Sequence, residues 1–541
     1  MHICLLPAEI LLDIFQIIHD GVDELGYPYH HTTAALARTC RLFKEPALNT
    51  LWKNIIGLKP LISCLPEGVS ERTQGYVTLT RLLSPEEWNT VGQYARRIRS
   101  LVIYDSQLAR IDDRVIQLLI SMPSPAPLLQ NLHSLEWWDD RECFFPLLRT
   151  LLVPTISSVK LGSVGRRPWA PSFAKSALLA SLGARSPSIQ ELVCAYSGVG
   201  DSHEICEFVC SWQELNRLVT GVLNIRSLRH LASLPSLKSL HFRIHEFNDT
   251  QPNITPIFST QLDEVSIAAP APSFFNRYLR NVRFLSCQTA ILCVGESDGL
   301  SFSTRIPEPP YDSLDVPDLI DSLSTSFSST LERISINFGF LWLDDPNLVL
   351  GFDAVAPLMS FSRLTKLDLQ FFCISTIDDA ALKIMARSWP QLEHFLFGSA
   401  TKRVDPPSLT FTGLVHLIQH CRHLRNIEMP FSACAIDITC ELFSNAIPNE
   451  KITSIFVGIS PITSPVAVAC QLHTLLPNLT TVKAGRILPS LPRPFRNIKD
   501  DWKKVDEFLV VLSESAKMKE KLGQLSQDRS LQALRTVSSL G

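Results

Sequence analysis

The sequence predicts an α/β protein, with a short all-α segment at the N-terminus followed by a curved solenoid of helix-strand repeats that carries a parallel β-sheet on its concave face. Three observations lead there. The first fifty residues hold apolar side chains at helical spacing in three short runs. A six-residue phrase, two aliphatics three apart and a third two later, then recurs fourteen times from residue 98 onward. The stretches between its copies often keep helical spacing of their own, as in DDAALKIMARSWPQLEHF at 378–395.

In LLPAEILLDIFQII at 5–18, Ile10, Leu11, Ile14, Phe15 and Ile18 recur at helical spacing while Glu9, Asp13, Gln16 and Asp20 take the opposite face. Pro7 suits a first helical turn, which has no use for its missing N–H. Ala34, Ala35, Leu36, Ala37 and Cys40 make a second run behind Thr32 and Thr33, either of which fits a cap, and Pro46 is expected to open a third helix holding Ala47, Leu48, Leu51 and Trp52. Helices this short cannot bury a core alone and leave apolar surface for a partner.

This stretch resembles an F-box. The family's Leu-Pro start, acidic-aliphatic-aliphatic run, Ile-Phe, Leu, Cys-Arg, aromatic and closing Leu-Trp are met by Leu6-Pro7, Glu9-Ile10-Leu11, Ile14-Phe15, Leu36, Cys40-Arg41, Phe43 and Leu51-Trp52. The gap at 20–33 is longer than usual for the family. The resemblance implies docking on the Skp-type adaptor of a cullin-RING ubiquitin ligase, with Leu6, Pro7, Ile10, Leu11, Ile14, Phe15 and Trp52 as adaptor-binding positions.

Residues 1–55 thus form the first domain, and 56–97 a helical linker with Leu-rich character at 58–65 and a helix start at Ser84-Pro85-Glu86-Glu87. The repeated phrase follows, from IRSLVI at 98 through VRFLSC at 282 and LTKLDL at 364 to LTTVKA at 479. Its mean spacing of about 29 residues lies at the upper edge of leucine-rich repeats, which stack because no single unit buries its own apolar face. The array is placed at 98–490, and a charged amphipathic helix with Trp502, Val505, Phe508, Leu509 and Leu512 on one face is expected to close it within 491–541. An N-terminal F-box ahead of divergent leucine-rich repeats resembles a known arrangement of ubiquitin-ligase receptors. RLLSPEEWNTVGQYARRIRSL at 81–101 is similar to the junction in F-box proteins of mushroom-forming fungi.

Composition narrows the function. Fifty Lys and Arg stand against 53 Asp and Glu, a formal charge of -3, so neither nucleic acid nor an anionic membrane is expected as a partner. Pro461, Pro465 and Pro477 interrupt the uncharged stretch 452–482, which therefore reads as repeat core and loops. Pro7, Glu9 and Asp13 break up what a secretory leader would need, and the fourteen cysteines are scattered through apolar runs. A cytoplasmic or nuclear protein with free, mostly buried thiols is the expectation.

No catalytic signature emerges. Cys206 and Cys210 lack a second ligand pair at zinc spacing, and His30, His31, His416, His420 and His423 lack carboxylate or thiol company, so neither metal nor cofactor is expected. The pairs Asp112-Asp113, Asp139-Asp140, Asp344-Asp345 and Asp378-Asp379 fit helix caps and turns better than acid/base couples. The reading is a non-catalytic substrate receptor of an SCF-type ligase, whose mechanism is proximity. The alternative is a repeat scaffold that joins an adaptor without promoting ubiquitin transfer. Strand alternation turns the residues between the phrase's aliphatics onto the concave face, where Trp138, His241, Arg243, Lys366, Asp368 and Phe456 are the expected contacts to a protein target.

Overall fold

The computed structural model describes residues 6–21, 30–66, 68–73, 76–121, 127–163, 169, 172–194, 202–244, 255–295, 315–338, 349–400, 406–434, 446–485 and 498–538. The chain divides into two compact units, Met1–Arg243 with Gly299–Thr304, and Ile244–Asp298 with Arg305–Gly541.

The first unit opens with helices α1 (Ala8–Asp20), α2 (His30–Thr39) and α3 (Arg41–Lys53). Leu11, Phe15, Phe43 and Ala47 form their core, with the Phe15 and Phe43 rings edge to face at 5.3 Å. Two expectations are corrected here. Neither Thr32 nor Thr33 caps α2, because both lie inside the helix His30–Thr39, where the His30 ring lies 4.6 Å from that of His19 and Thr33 is buried. Nor does Pro46 open α3, which already runs from Arg41; packing of Phe43 on Phe15 draws the preceding turn into the helix, with Pro46 inside it.

Among the described residues seven parallel strands follow, each hydrogen-bonded to the next: Asn54–Ile56, Ser100–Tyr104, Ser134–Trp138, Ser158–Leu161, Glu191–Cys194, Arg217–Val222 and Ser239–Arg243. Parallel neighbours need crossover connections, and among the described residues these include the helices Pro85–Ala95, Asp113–Ile120, Phe145–Leu151, Phe173–Arg185, Ser202–Val209 and Ile225–Ser233. One carbonyl per repeat takes two consecutive N–H groups of the next: Arg99 O from His133 and Ser134, His133 O from Ser157 and Ser158, Ser157 O from Gln190 and Glu191. Side chains alternate as the phrase predicts, with Leu101 and Ile103 inaccessible and Val102 and Tyr104 half-buried.

The segment 56–97 is less helical than expected. It holds the short helix Lys59–Ile62, an antiparallel pair Ser70–Thr73 and Tyr76–Leu79, and the helix Pro85–Ala95, where Ser84 and Glu87 form a reciprocal capping box. The sheet also begins inside the region assigned to the first domain. Asn54–Ile56 pairs with Ser100–Val102, and Gly57 (φ 72°) turns the chain away as its N–H donates to Val102 O at 2.7 Å.

Among the described residues the second unit has eight parallel strands: Leu262–Ala269, Cys287–Val294, Arg333–Phe338, Lys366–Leu369, His394–Phe397, Asn426–Glu428, Ser454–Phe456 and Thr481–Lys483. The phrase at 282 is not one of them. Arg283–Phe284 pairs with Ile257–Phe258 in a separate two-stranded sheet, where Phe258, Phe284 and Phe327 stack, and the sheet strand starts at Cys287. Asp378 caps the helix Asp379–Ser388 as expected, while Asp379 accepts hydrogen bonds from the Thr410 and Gly413 N–H groups and so holds the start of the helix Phe411–His420. In the C-terminal helix Ile498–Ser538, Trp502, Val505 and Leu509 are buried, whereas Phe508 is exposed and Leu512 half-buried. Buried indoles bond to backbone carbonyls in both units: Trp212 to Ser186 O at 3.1 Å, Trp389 to Leu358 O at 3.2 Å and Trp502 to Ser460 O at 2.8 Å.

Candidate functional site

The N-terminal helices offer the first candidate surface. Of the seven positions expected to meet an adaptor, Pro7 and Ile10 are exposed, Leu6 and Ile14 are half-buried, and Leu11, Phe15 and Trp52 are buried. Leu11 and Phe15 therefore hold the three helices together. Trp52 lies against Tyr94 at 4.8 Å and fastens α3 to the helix Pro85–Ala95. α1 carries two apolar stripes side by side, since Leu11 and Phe15 belong to the core with Ile14 and Ile18 packed against it, while Ile10 and Ile17 stand exposed beside them. Ile17 is 74% exposed and Leu42 46%, and both join the open surface although the family pattern did not mark them. Apolar residues on more than one face of so short a helix were the available signal.

The outer face of the sheet is the second candidate surface. In the first unit Val102, Glu136, Lys160, Val193, Val219 and His241 stand opposite one another on successive strands and form one half-exposed column. Glu136 pairs with Lys160 at 3.0 Å, and Glu191 lies 3.9 Å from Arg217. His241 and Arg243 are half-buried on this face as expected. Trp138 is not available there: it is 7% exposed, and its indole N–H turns back onto Glu136 at 3.3 Å.

In the second unit Ser335, Asp368, Leu396, Glu428, Phe456 and Lys483 form the corresponding column. Leu396 and Phe456 are half-buried and face outward. Asp368 departs from expectation, with 5% exposure and a 3.3 Å ion pair to Lys366. A carboxylate that buried persists beside a cation, so Lys366 serves Asp368 rather than standing free.

The chemistry-bearing residues do not converge. Cys206 is buried and accepts a hydrogen bond from the Asn224 N–H at 3.2 Å. The His416 and His420 rings lie 6.5 Å apart, and among the described residues no group of three or more His, Cys, Asp or Glu is placed to hold a metal ion. Asp344 and Asp345 lie outside the described residues. Among those residues no helix is long and apolar enough to cross a membrane.

No protein-family model and no curated protein matches the sequence. Among solved structures, an internalin of Listeria monocytogenes is similar at 12% identity over 84% of this chain and 94% of that one, with a TM-score of 0.32.

Proposed function

We propose that this chain is the substrate-recognition subunit of an SCF-type cullin-RING ubiquitin ligase, with α1–α3 docking a Skp-type adaptor and the outer sheet face receiving a protein target. The observation that carries the reading is that the helices bearing the F-box order of residues leave Pro7, Ile10, Ile17 and Leu42 open to solvent. An apolar surface of this kind on a small helical unit suits a protein partner. The receptor supplies no chemistry of its own and acts by raising the local concentration of its target beside the transferring subunits. Half-buried His241 and Arg243 in one unit and Leu396 and Phe456 in the other offer the mixed aromatic, aliphatic and cationic contacts that protein targets use.

The test is co-purification with a Skp-type adaptor. Leu6 and Pro7 changed together to Ala, and Ile10 and Ile17 changed together to Asp, should each abolish it while the circular dichroism melt of the chain persists. Adaptor capture at the parental level by both variants would remove the reading. Target turnover with and without an active cullin separates the receptor from a scaffold, and Arg243→Glu should lower target capture without touching the adaptor.

A further inference from the structure

A cleft of about 500 Å³ lies where α1 and α3 meet the turn between the helix Pro85–Ala95 and the strand Ser100–Tyr104. Its lining includes Lys53, Arg96, Arg97 and Arg99, with Asn131 as a neutral amide and Asp13 as the one carboxylate. Four cations gathered against a single anion are unusual in a chain whose formal charge is -3.

Structural duty accounts for only part of this cluster. Arg97 donates to Glu45 at 2.6 Å and to the Asn49 side chain, which ties α3 to the turn. Lys53 meets only the Gln16 amide oxygen at 3.3 Å, and Arg99 reaches the Asn131 carbonyl at 3.3 Å. Neither contact neutralises a charge, and Arg96 has no carboxylate partner among the described residues. The Arg97 side chain is only 10% exposed, and its buried Nε–H has no acceptor. Guanidinium groups match the oxygens of phosphate in paired hydrogen bonds, and a cleft of this volume suits a small ligand better than a protein segment.

We propose that this cleft binds a soluble phosphate-bearing ligand. Arg96, Arg99 and Lys53 supply the charge that attracts it, Arg97, held by Glu45 and Asn49, forms part of the wall, and Asp13 limits the affinity. The site does not depend on what docks on the apolar face of the helices.

Isothermal titration of the full chain with tripolyphosphate at low ionic strength tests it, with inorganic phosphate as the smaller probe. The expected result is saturable one-to-one binding that weakens as salt is added. Arg96→Ala with Arg99→Ala should weaken it at least tenfold, and because both side chains are exposed the melting curve should stay in place. Asp13→Asn should tighten binding, a gain that misfolding cannot imitate. No saturable binding by the parent chain, or equal binding by the double variant, overturns the proposal. So does binding confined to phosphoinositide-containing phosphatidylcholine vesicles or to oligonucleotides.

Discussion

The carboxylate of Asp506 accepts a hydrogen bond from the backbone N–H of Val482 at 2.8 Å. Among the described residues Thr481–Lys483 is the last strand of its sheet, and the N–H of Val482 faces away from Ser454–Phe456, with which it pairs. The C-terminal helix thus supplies a side-chain acceptor where another strand would have supplied a backbone one, and it covers an edge that would otherwise invite pairing between chains. Asp506→Ala should speed hydrogen exchange at Val482 and raise light scattering at high concentration. Unchanged exchange there would show that the edge is protected by something else.

Trp502 anchors the same helix, with its ring fully buried, its indole bonded to Ser460 O and its ring edge to face with Phe431 at 5.9 Å. Trp502→Ala should cost about 3–5 kcal/mol. Urea unfolding followed by circular dichroism measures this, and a midpoint that does not move would mean that the helix closes nothing.

The two stripes of α1 should separate in mutagenesis. Phe15→Ala removes a core ring that is 1% exposed and should cost about 3–5 kcal/mol, whereas Ile17→Ala, at 74% exposure, should stay within about 0.5 kcal/mol. Comparable losses in thermal melts of the two variants would mean that Ile17 is covered in solution.

Glu87 gives the protein a stability component that acid removes. Both Arg81 guanidinium nitrogens (2.9 and 2.6 Å) and the Ser84 N–H (2.8 Å) donate to its carboxylate and hold its pKa down to about 2. An unfolded chain takes up that proton near pH 4.3, so between there and 2 the unfolded state binds more protons. The contribution is complete above that range and disappears as pH falls through it. Arg81 is half exposed, so solvent screening keeps the effect small. Glu87→Gln should flatten the fall in melting temperature between pH 5 and 2.5, and a slope equal to the parent's would reject this origin.

Thiol reactivity should follow burial. Cys143, Cys434 and Cys470 are exposed, while burial pushes the thiols of Cys194, Cys287 and Cys421 up to about 12. Alkylation at pH 8 followed by peptide mass spectrometry should label the first three within minutes and the other three only after denaturation, when all fourteen cysteines titrate. Rapid labelling of Cys194 in the native chain would contradict the burial.

The repeats were legible where leucine or isoleucine filled all three apolar positions of the phrase, as at Leu364, Leu367 and Leu369, each inaccessible in the structure. The strand Cys287–Val294 escaped notice because Cys287 and Ala290 take two of the inward places, and VRFLSC just before it offered the more leucine-like pattern. Asn54–Ile56 is too short to show alternation, and its conformation is set by Ser100–Val102, which lie more than forty residues away in sequence. Within the candidate site, alternation placed His241, Arg243, Leu396 and Phe456 correctly on the outer face. It could not foresee Trp138 and Asp368, because contacts to Glu136 and Lys366 along the same face decide how much of each remains open. The apolar positions of α1 were legible as a group. Their division between core and surface was not, because α1 is apolar on two adjoining stripes.

The pairing of Asn54–Ile56 with Ser100–Val102 leaves no swivel between α3 and the first repeats, since the helix runs directly into a strand whose neighbour belongs to the array. The Trp52–Tyr94 contact and the Glu45–Arg97 ion pair resist twisting about that junction. Whatever gripped α1–α3 would therefore set the bearing of strands 100–243 as well, and anything bound to those strands would be held at one fixed angle to it.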